Sequence, residues 1–242
     1  MPRYLAVLFT PVFFFIAASP ACADEATAST ATWKNSIELG AVLTSGNTRT
    51  TTLNAKGKSV YENDAWRTTV KGSAINSSSS TSTTAEKYDA SIKEDWKFSE
   101  RGYLFLRLSF ESDRFSGFKR RTTETIGYGR KLVKTDTFEW SAEIGGGLRQ
   151  NRLTDNTSNT EGIARASTDA DWQFNESSKL TQDLNTEGGA NGWTSKSVTA
   201  LQTALNSHLA SKISLSLTHN SQVPAGRKKL DTETAITLVI NY

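Results

Sequence analysis

The sequence predicts an all-β protein, a twelve-stranded antiparallel up-and-down transmembrane β-barrel. Apolar and polar residues alternate with a period of two almost from Trp33 to Tyr242, and the helical period of 3.6 is nowhere sustained. Turn signals divide this stretch into twelve segments, each near the length that a tilted membrane strand needs. After Ala23 no apolar run approaches the roughly 20 residues of a membrane-spanning helix, so the sequence does not predict a helical membrane protein.

The N-terminal residues predict a secretory signal peptide, residues 1–23, ahead of an outer-membrane barrel domain, residues 24–242. Arg3 precedes the apolar run 5–18, which leads into an A-x-A cleavage pattern centred on Cys22. Lipid attachment to this cysteine is an alternative, but the residues before it do not match a lipoprotein signal. Export followed by cleavage is therefore expected.

Composition narrows the chemistry that the processed chain can perform. Cys22 is the only cysteine, so cleavage removes any disulfide or thiolate metal site. The formal net charge is +3, with basic and acidic residues interspersed, so no nucleic-acid partner is expected. No phosphate-binding or dinucleotide motif occurs, and no cofactor is predicted.

The twelve strands are placed by alternation between turn signals. The last strand shows the pattern most clearly, with Val239 as its one misfit, whereas Glu94 is a charge on an apolar face. In the sixth strand Glu124 and Arg130 share the apolar face, which leaves its register open. The predicted strands span residues 33–44, 48–60, 65–75, 87–98, 103–112, 122–132, 138–149, 162–174, 179–187, 197–208, 212–220 and 231–242.

The predicted connections alternate in length. Short connections predict periplasmic turns and longer polar ones predict extracellular loops, and an even strand number returns both termini to the periplasm. The connection near 45–47 is the exception, because it is short where a long one is expected. The longer polar stretches are 76–86, 113–121, 150–161, 188–196 and 221–230.

Aromatic residues gather where the predicted strands meet the short turns. Rings with a polar edge concentrate at membrane interfaces, so these residues predict a periplasmic aromatic girdle. A soluble periplasmic β-rich binding protein is the alternative, since its strands would also carry one apolar face. It explains neither this rim nor the alternating connections. The predicted girdle comprises Trp33, Tyr61, Trp66, Trp96, Phe98, Tyr103, Phe138, Trp140, Trp172, Phe174 and Tyr242.

The strand faces opposite the apolar residues carry many charges of both signs. They are too numerous for a dry core and predict a wet or salt-bridged lumen. A barrel of twelve strands is intermediate between filled and open barrels, so a narrow pore and a plugged interior both remain possible. The predicted lumen charges are Lys56, Lys58, Arg67, Lys71, Asp89, Lys93, Asp95, Arg107, Glu111, Glu143, Arg165, Asp169, Asp171 and Asp183.

One short pattern admits an enzymatic alternative. His219 and Ser221 form an H-x-S pair with Glu233 on the next strand, similar to the arrangement of outer-membrane lipid acyl hydrolases. Two departures weaken it. Gln222 stands where those enzymes carry asparagine, and alternation points Glu233 inward while His219 points outward. The default interpretation is a polar strand end that meets a loop, and the protein is not predicted to be an enzyme.

Cationic residues in the predicted external loops would lie near the phosphates of lipopolysaccharide. Solvated loops are the default interpretation, and contact with lipid phosphate is the alternative. These candidate contacts are Arg120, Arg121, Arg227, Lys228 and Lys229.

Two stretches, residues 40–48 (GAVLTSGNT) and 220–226 (NSQVPAG), the latter followed by Asp231-Thr232, resemble the YdiY-like family of salt-induced outer-membrane proteins. The resemblance implies an outer-membrane location and a response to osmotic or salt stress. It carries over no catalytic residues and no substrate. The terminal strand ending in Tyr242 also looks like the signal that the barrel assembly machinery recognises. That machinery and a periplasmic chaperone are therefore expected as transient partners, and membrane lipids as lasting ones.

Overall fold

The computed structural model describes residues 31–44, 50–79, 83–113, 118–223 and 228–242. Twelve antiparallel strands in these ranges form one closed barrel in which each strand pairs with its neighbours in sequence and β1 pairs with β12. The predicted fold class and strand number are confirmed. Among the described residues, no helix has the length and apolar character to cross a membrane.

The strands are longer than the sequence pattern predicts. Their bounds are β1 Thr32–Thr44, β2 Thr50–Glu62, β3 Trp66–Ser79, β4 Thr83–Lys97, β5 Gly102–Asp113, β6 Phe118–Lys134, β7 Phe138–Leu153, β8 Ser158–Gln173, β9 Ser178–Gly189, β10 Gly192–Ala204, β11 Leu209–Asn220 and β12 Leu230–Asn241. The predicted signal peptide and the 45–47 connection lie outside the described residues.

The register fixes the width of the barrel. Following the paired residues once around from Ile37 returns to a position displaced by about 16 residues along the chain. For twelve strands this shear corresponds to a strand tilt of roughly 40–45° and a backbone radius of about 12–13 Å. Side chains from strands several positions apart can meet in the lumen, as Arg107 on β5 and Glu187 on β9 do at 3.8 Å, while a circular barrel of this width leaves space between diametrically opposite walls.

Alternation places the apolar residues outside and the polar residues inside. Large apolar side chains such as Ile126, Ile144 and Ile236 are about two-thirds exposed on the outer face. The inner face buries polar groups, among them Asp95 and Glu143. A soluble protein would bury the outer set, so this distribution does not fit the soluble alternative.

The predicted girdle lies at one end of the barrel, which we call the aromatic end. It holds the turns 63–65, 98–101, 135–137, 174–177 and 205–208. Its rings face outward and several touch one another, as Trp33 does with Tyr61 at 5.0 Å and Trp172 with Phe174 at 5.6 Å between ring centroids. Tyr103 is the exception. It points into the lumen and is only 3 % exposed, so its assignment to the girdle is wrong.

At the opposite end, much of what the sequence predicts as long loops is strand. β7 and β8 continue to Leu153 and from Ser158, and β9 and β10 are joined through Ala190 and Asn191 alone. The prediction of long loops at this end is therefore wrong for most connections, because polar strand extensions look like loops in sequence. The β11–β12 connection, residues 221–229, remains the longest.

The turn between β7 and β8 is held by its own side chains. Thr157 donates to Asp155 Oδ1 from its hydroxyl at 2.6 Å and from its amide at 2.9 Å. These hydrogen bonds favour the ionised carboxylate and lower the pKa of Asp155. These bonds stabilise a tight turn, residues 154–157, where the sequence predicts a long polar loop.

The three charges that interrupt the apolar pattern lie on the outer face. Glu94 accepts a hydrogen bond from Thr68 Oγ1 at 2.7 Å. Glu124 and Arg130 are exposed, with Glu124 between Leu108 and Leu148 on the neighbouring strands. The register of β6 is thus resolved, and the irregularity between Lys131 and Val133 follows it at the aromatic end.

Candidate functional site

The lumen is the candidate functional site, and the structure places every charged residue predicted for it on the inner face. Each lies on the side of its strand that faces the lumen. On β2 and β4 this side also carries the buried residues Asn54 and Asp95. The sequence prediction missed further inward charges, several of which it had assigned to loops. These are Glu38, Lys87, Arg121, Arg149, Glu161, Glu187, Lys196 and Lys212, whereas Glu233 points inward as alternation predicts.

Glu143 organises an ion-pair network on the β4–β8 side of the lumen. Its carboxylate accepts hydrogen bonds from Tyr103 Oη at 2.9 Å, Arg165 Nη1 at 2.8 Å and Ser167 Oγ at 3.2 Å. Lys93 Nζ also donates to it. Because the side chain is only 3 % exposed, its charge is stabilised by these donors and not by water.

Lys93 links this network to a second buried carboxylate. Its ammonium lies 3.0 Å from Asp95 Oδ1, and Arg67 Nη2 lies 2.7 Å from Asp95 Oδ2. Asp95 is completely buried. The two acids and their cations therefore form one continuous chain of ion pairs along this wall.

Two aromatic rings form the floor of the network. Tyr103 and Phe105 lie against the strand wall at Gly127, Gly129 and Gly145. A Cβ on Gly129 would stand 2.3 Å from the Tyr103 ring, and one on Gly127 would stand 2.7 Å from Phe105 Cζ. The glycines therefore make the space in which the rings pack flat.

The same rings hold cations on their other faces. Lys93 Nζ lies 5.2 Å from the Tyr103 ring centroid and 5.3 Å from that of Phe105, and Arg165 lies 5.4 Å from Phe105. Such contacts are attractive when the cation is desolvated. Three layers therefore follow one another from the barrel wall toward its axis: the glycines, the two rings, and the ion pairs. Together they fill the half of the lumen that is lined by β4 to β8. We call this half the packed half.

A second group of ion pairs extends the packed half toward the opposite end. Arg149 Nη2 bonds Glu187 Oε1 at 2.9 Å, and Arg149 Nη1 lies 3.7 Å from Glu161 Oε1. Arg107 reaches Glu187 from β5 at 3.8 Å. Arg107 and Glu187 are four strands apart, so this pair spans part of the lumen.

The other half of the lumen is open to water. Lys58 and Lys71 are directly opposed on β2 and β3, both point inward and both are exposed. Among the described residues, neither lysine forms a salt bridge. An inward side chain can be exposed only where the lumen is accessible to solvent. We call this half the open half.

Aspartates face these lysines from the other wall. Asp169 and Asp183 are directly opposed on β8 and β9, and Asp171 lies two residues further along β8. Asp171 is 51 % exposed although it points inward, and its carboxylate pairs with Lys179 at 3.0 Å. The open half therefore has one basic and one acidic wall at mid-height in the barrel.

A vestibule leads into the lumen from the aromatic end. It is a cavity of about 820 Å³ lined mainly by the turns after β2 and β4, with Arg67 and Tyr103 at its inner surface. Its charged lining includes five cations and three acids. The charged lining residues are Glu62, Asp64, Arg67, Lys97, Glu100, Arg101, Lys131 and Lys134.

The predicted lipid-phosphate contacts separate into different environments. Arg121 points into the lumen, where it donates to Asn151 Oδ1 at 2.8 Å and lies 3.6 Å from Glu111, so its assignment to a lipid-facing loop is wrong. The pairing of β6 with β7 continues past this position, which turns alternate residues inward. Arg120 is exposed on the outer face of β6. Lys228 and Lys229 are exposed before β12, and Arg227 lies outside the described residues.

The H-x-S pair does not assemble into a catalytic site. His219 points outward, whereas Glu233 lies in the lumen 4.0 Å from Lys56 and accepts from Asn54 at 3.5 Å. The Ser221 hydroxyl accepts a hydrogen bond from the Trp193 amide at 2.8 Å. Since Glu233 is on the other side of the wall, it cannot orient His219.

A family model and one relative match most of the chain. A family model described as "Protein of unknown function, DUF481" matches residues 37–242. "Uncharacterized protein YdiY" of Escherichia coli (strain K12) is 29% identical over 219 residues, which cover 90% of this chain and 86% of that protein. These matches confirm the resemblance to the YdiY-like family.

Two solved structures are similar to the barrel. One is the NanC porin, with a TM-score of 0.55 at 11% identity over 85% of this chain and 98% of that one. The other is the COG4313 outer membrane channel from Pseudomonas putida F1, with a TM-score of 0.53 at 9% identity over 93% of this chain and 100% of that one. At such identities the likeness concerns the fold alone. The likeness agrees with the closed barrel and its apolar outer face, the surface that a transmembrane β-barrel presents to lipid.

Proposed function

The chain belongs to the DUF481 family of proteins of unknown function, and we propose that it is a non-enzymatic outer-membrane channel for small hydrophilic solutes and ions. The observation that carries this proposal is the solvent exposure of inward-pointing charges in the open half, above all Lys58, Lys71, Asp171 and Asp183. Water that reaches these groups provides a polar path along the lumen.

The packed half limits what can pass. A backbone radius of about 12–13 Å would leave a wide pore if both halves were empty. The Glu143 network and the rings of Tyr103 and Phe105 occupy one side of that space. The remaining passage is narrow and suits solutes of a few heavy atoms and hydrated small ions.

The two walls would act on solutes in transit. Lysines on β2 and β3 and aspartates on β8 and β9 create an electric field across the passage, since opposite charges stand on opposite walls. Dipolar and zwitterionic solutes align in such a field. Because the walls nearly balance in charge, we expect only weak preference between cations and anions.

Orientation and export are part of the proposal. The aromatic end carries the girdle and both described termini, and the longest connection, 221–229, lies at the opposite end, so we place the aromatic end at the periplasmic surface. Residues 1–23 would direct export and be removed. The barrel assembly machinery and a periplasmic chaperone would then insert the strands.

Planar-bilayer conductance tests the channel. Refolded protein should conduct, and the double change Lys58→Glu with Lys71→Glu should shift the reversal potential under a salt gradient toward cation selectivity. Asp171→Lys with Asp183→Lys should shift it toward anions. Asp136→Lys, in an exposed turn at the aromatic end, is the matched control and should leave it unchanged.

Folding of each variant is verified by heat-modifiable gel mobility, so that a silent bilayer reports on the pore and not on misfolding. A folded wild-type barrel that stays silent across salt concentrations would overturn the channel. Equal reversal potentials in all three variants would show that the open half is not the path.

A physiological role in the response to osmotic or salt stress is the second part of the proposal, and it is supported by the family resemblance. A strain that lacks the gene should grow more slowly than its parent after a salt upshift, and the wild-type gene should restore growth. If the channel works but growth is unchanged, the stress role is wrong and the channel stands.

A further inference from the structure

Two arginines lie side by side on the outer face of the barrel, near the end opposite the aromatic rings. Arg120 on β6 and Arg152 on β7 are direct register partners, and both side chains are exposed. Directly opposed residues on antiparallel strands have Cα atoms roughly 4.5–5.5 Å apart, so their guanidinium groups can reach one common point. Their pairing continues the regular register of β6 with β7, which shifts only beyond Arg120, before Phe118.

This pair has no acidic counterpart. Among the described residues, neither arginine forms an ion pair or a hydrogen bond with a carboxylate. Glu124 is the nearest acid on the same strand face, four residues down β6 and roughly 13 Å away. Like charges directly opposed on a sheet destabilise it, and a bound anion would remove that repulsion.

The height of the pair in the barrel indicates which anion it would bind. Trp140 belongs to the aromatic girdle, and Arg152 lies twelve residues further along the same strand. At the tilt of this barrel that distance rises about 28 Å, slightly more than the roughly 25 Å apolar band of outer-membrane barrels. The arginines therefore lie where the headgroup phosphates of the facing lipid leaflet lie.

Apolar surface on β7 begins one outward position further down, past the polar pair Thr122 and Gln150. Leu148 is four residues from Arg152 on the same face, Ile144 follows it, and both are largely exposed. A free phosphate ion would gain nothing from these side chains, whereas the acyl chains of a lipid would cover them. Lys119, which donates to Asn156 at 2.9 Å, adds a further cation at the rim.

We infer that Arg120 and Arg152 form a binding site for the phosphate of a phosphorylated glycolipid of the outer leaflet, with its acyl chains along Leu148 and Ile144. Each guanidinium donates to phosphate oxygens, and the fork geometry of arginine favours two bonds from each side. The inference uses the proposed orientation of the barrel but does not require it to conduct.

Native mass spectrometry of the refolded protein in neutral detergent tests the site, with bis-phosphorylated lipid A as the probe in magnesium-free buffer. Lipid adducts should form on the wild type and weaken about tenfold or more in Arg120→Gln with Arg152→Gln. Arg130→Gln removes an exposed outward arginine at the aromatic end and should bind like the wild type.

Two further arms identify the source of the phosphate. Lipid A without phosphates should bind no better to the wild type than to the double variant, and millimolar inorganic phosphate should not displace the phosphorylated lipid. Equal binding by wild type and double variant, or an equal loss in Arg130→Gln, would overturn the site. Displacement by inorganic phosphate would show a site for the free ion and overturn the assignment to lipid.

Discussion

Replacing Glu143 by glutamine should destabilise the barrel by about 3 kcal/mol. Glutamine keeps the shape of the side chain and can still accept the hydrogen bond from Tyr103. However, Arg165 loses its anionic partner, and Lys93 loses one of its two carboxylate partners. Removing one partner of a buried ion pair costs roughly 3–5 kcal/mol, and the low end applies because Lys93 keeps Asp95 at 3.0 Å. Arg165 Nε already has no hydrogen-bond partner in the described part of the chain, so no other contact of that atom compensates for the lost ion pair.

Urea titration of the refolded protein in phospholipid vesicles measures this loss, with folded fraction followed by gel mobility of unheated samples. Glu233→Gln is the matched control, because that carboxylate also faces the lumen but is 43% exposed and lies 4.0 Å from Lys56. We expect the control to lose less than about 1 kcal/mol. If both variants lose the same free energy, the network around Glu143 does not stabilise the barrel beyond an ordinary exposed pair.

Two further substitutions test the glycine wall and the outer face. Gly129→Ala should destabilise the barrel by about 1–3 kcal/mol in the same titration, because its Cβ would collide with the Tyr103 ring. Glu124→Leu should stabilise it by about 1–2 kcal/mol, since it replaces an exposed carboxylate between two leucines with an apolar side chain that lipid solvates.

Each of these has a control on the same barrel. A Cβ at Gly57 would meet nothing within 4 Å, so Gly57→Ala should change stability by no more than about 0.5 kcal/mol. An equal loss at Gly57 and Gly129 would mean that contact with the Tyr103 ring does not cause the loss. For the outer face, Thr122→Leu two residues away should gain less than Glu124→Leu, and the reverse order would mean that Glu124 does not face hydrocarbon.

The strand number and the two faces of the barrel could be predicted from sequence because both depend on local alternation. Val239 looks like a misfit in the last strand for the same reason: it faces inward, where it is buried beside small residues such as Ala210. Tyr103 lies at a strand end, which suggests the girdle, yet it occupies the same alternate positions of β5 as the inward residues Arg107 and Glu111. Alternation along β5 therefore predicts its inward direction, and its position at the strand end does not.

The limits of the strands and the partners across the lumen could not be predicted. The segment around Arg121 is polar on both faces, so its continued pairing with β7 leaves no period-two signal in hydropathy. Contacts such as Lys93 with Glu143 join residues on strands three apart. They depend on the closure and shear of the whole barrel, which no short stretch of sequence encodes.

The division of the lumen into a packed and an open half separates stability from transport. In the packed half, each charge has buried partners, so a substitution there should lower the free energy of unfolding first. In the open half, Lys58 and Lys71 are like charges that are directly opposed in register and exposed to solvent. They therefore contribute little to the stability of the barrel or lower it. Because these lysines do not stabilise the fold, their charges are available to act on solutes that pass by them. Charge reversal at these lysines should therefore change selectivity while the urea midpoint stays near that of the wild type, the opposite of the result expected at Glu143.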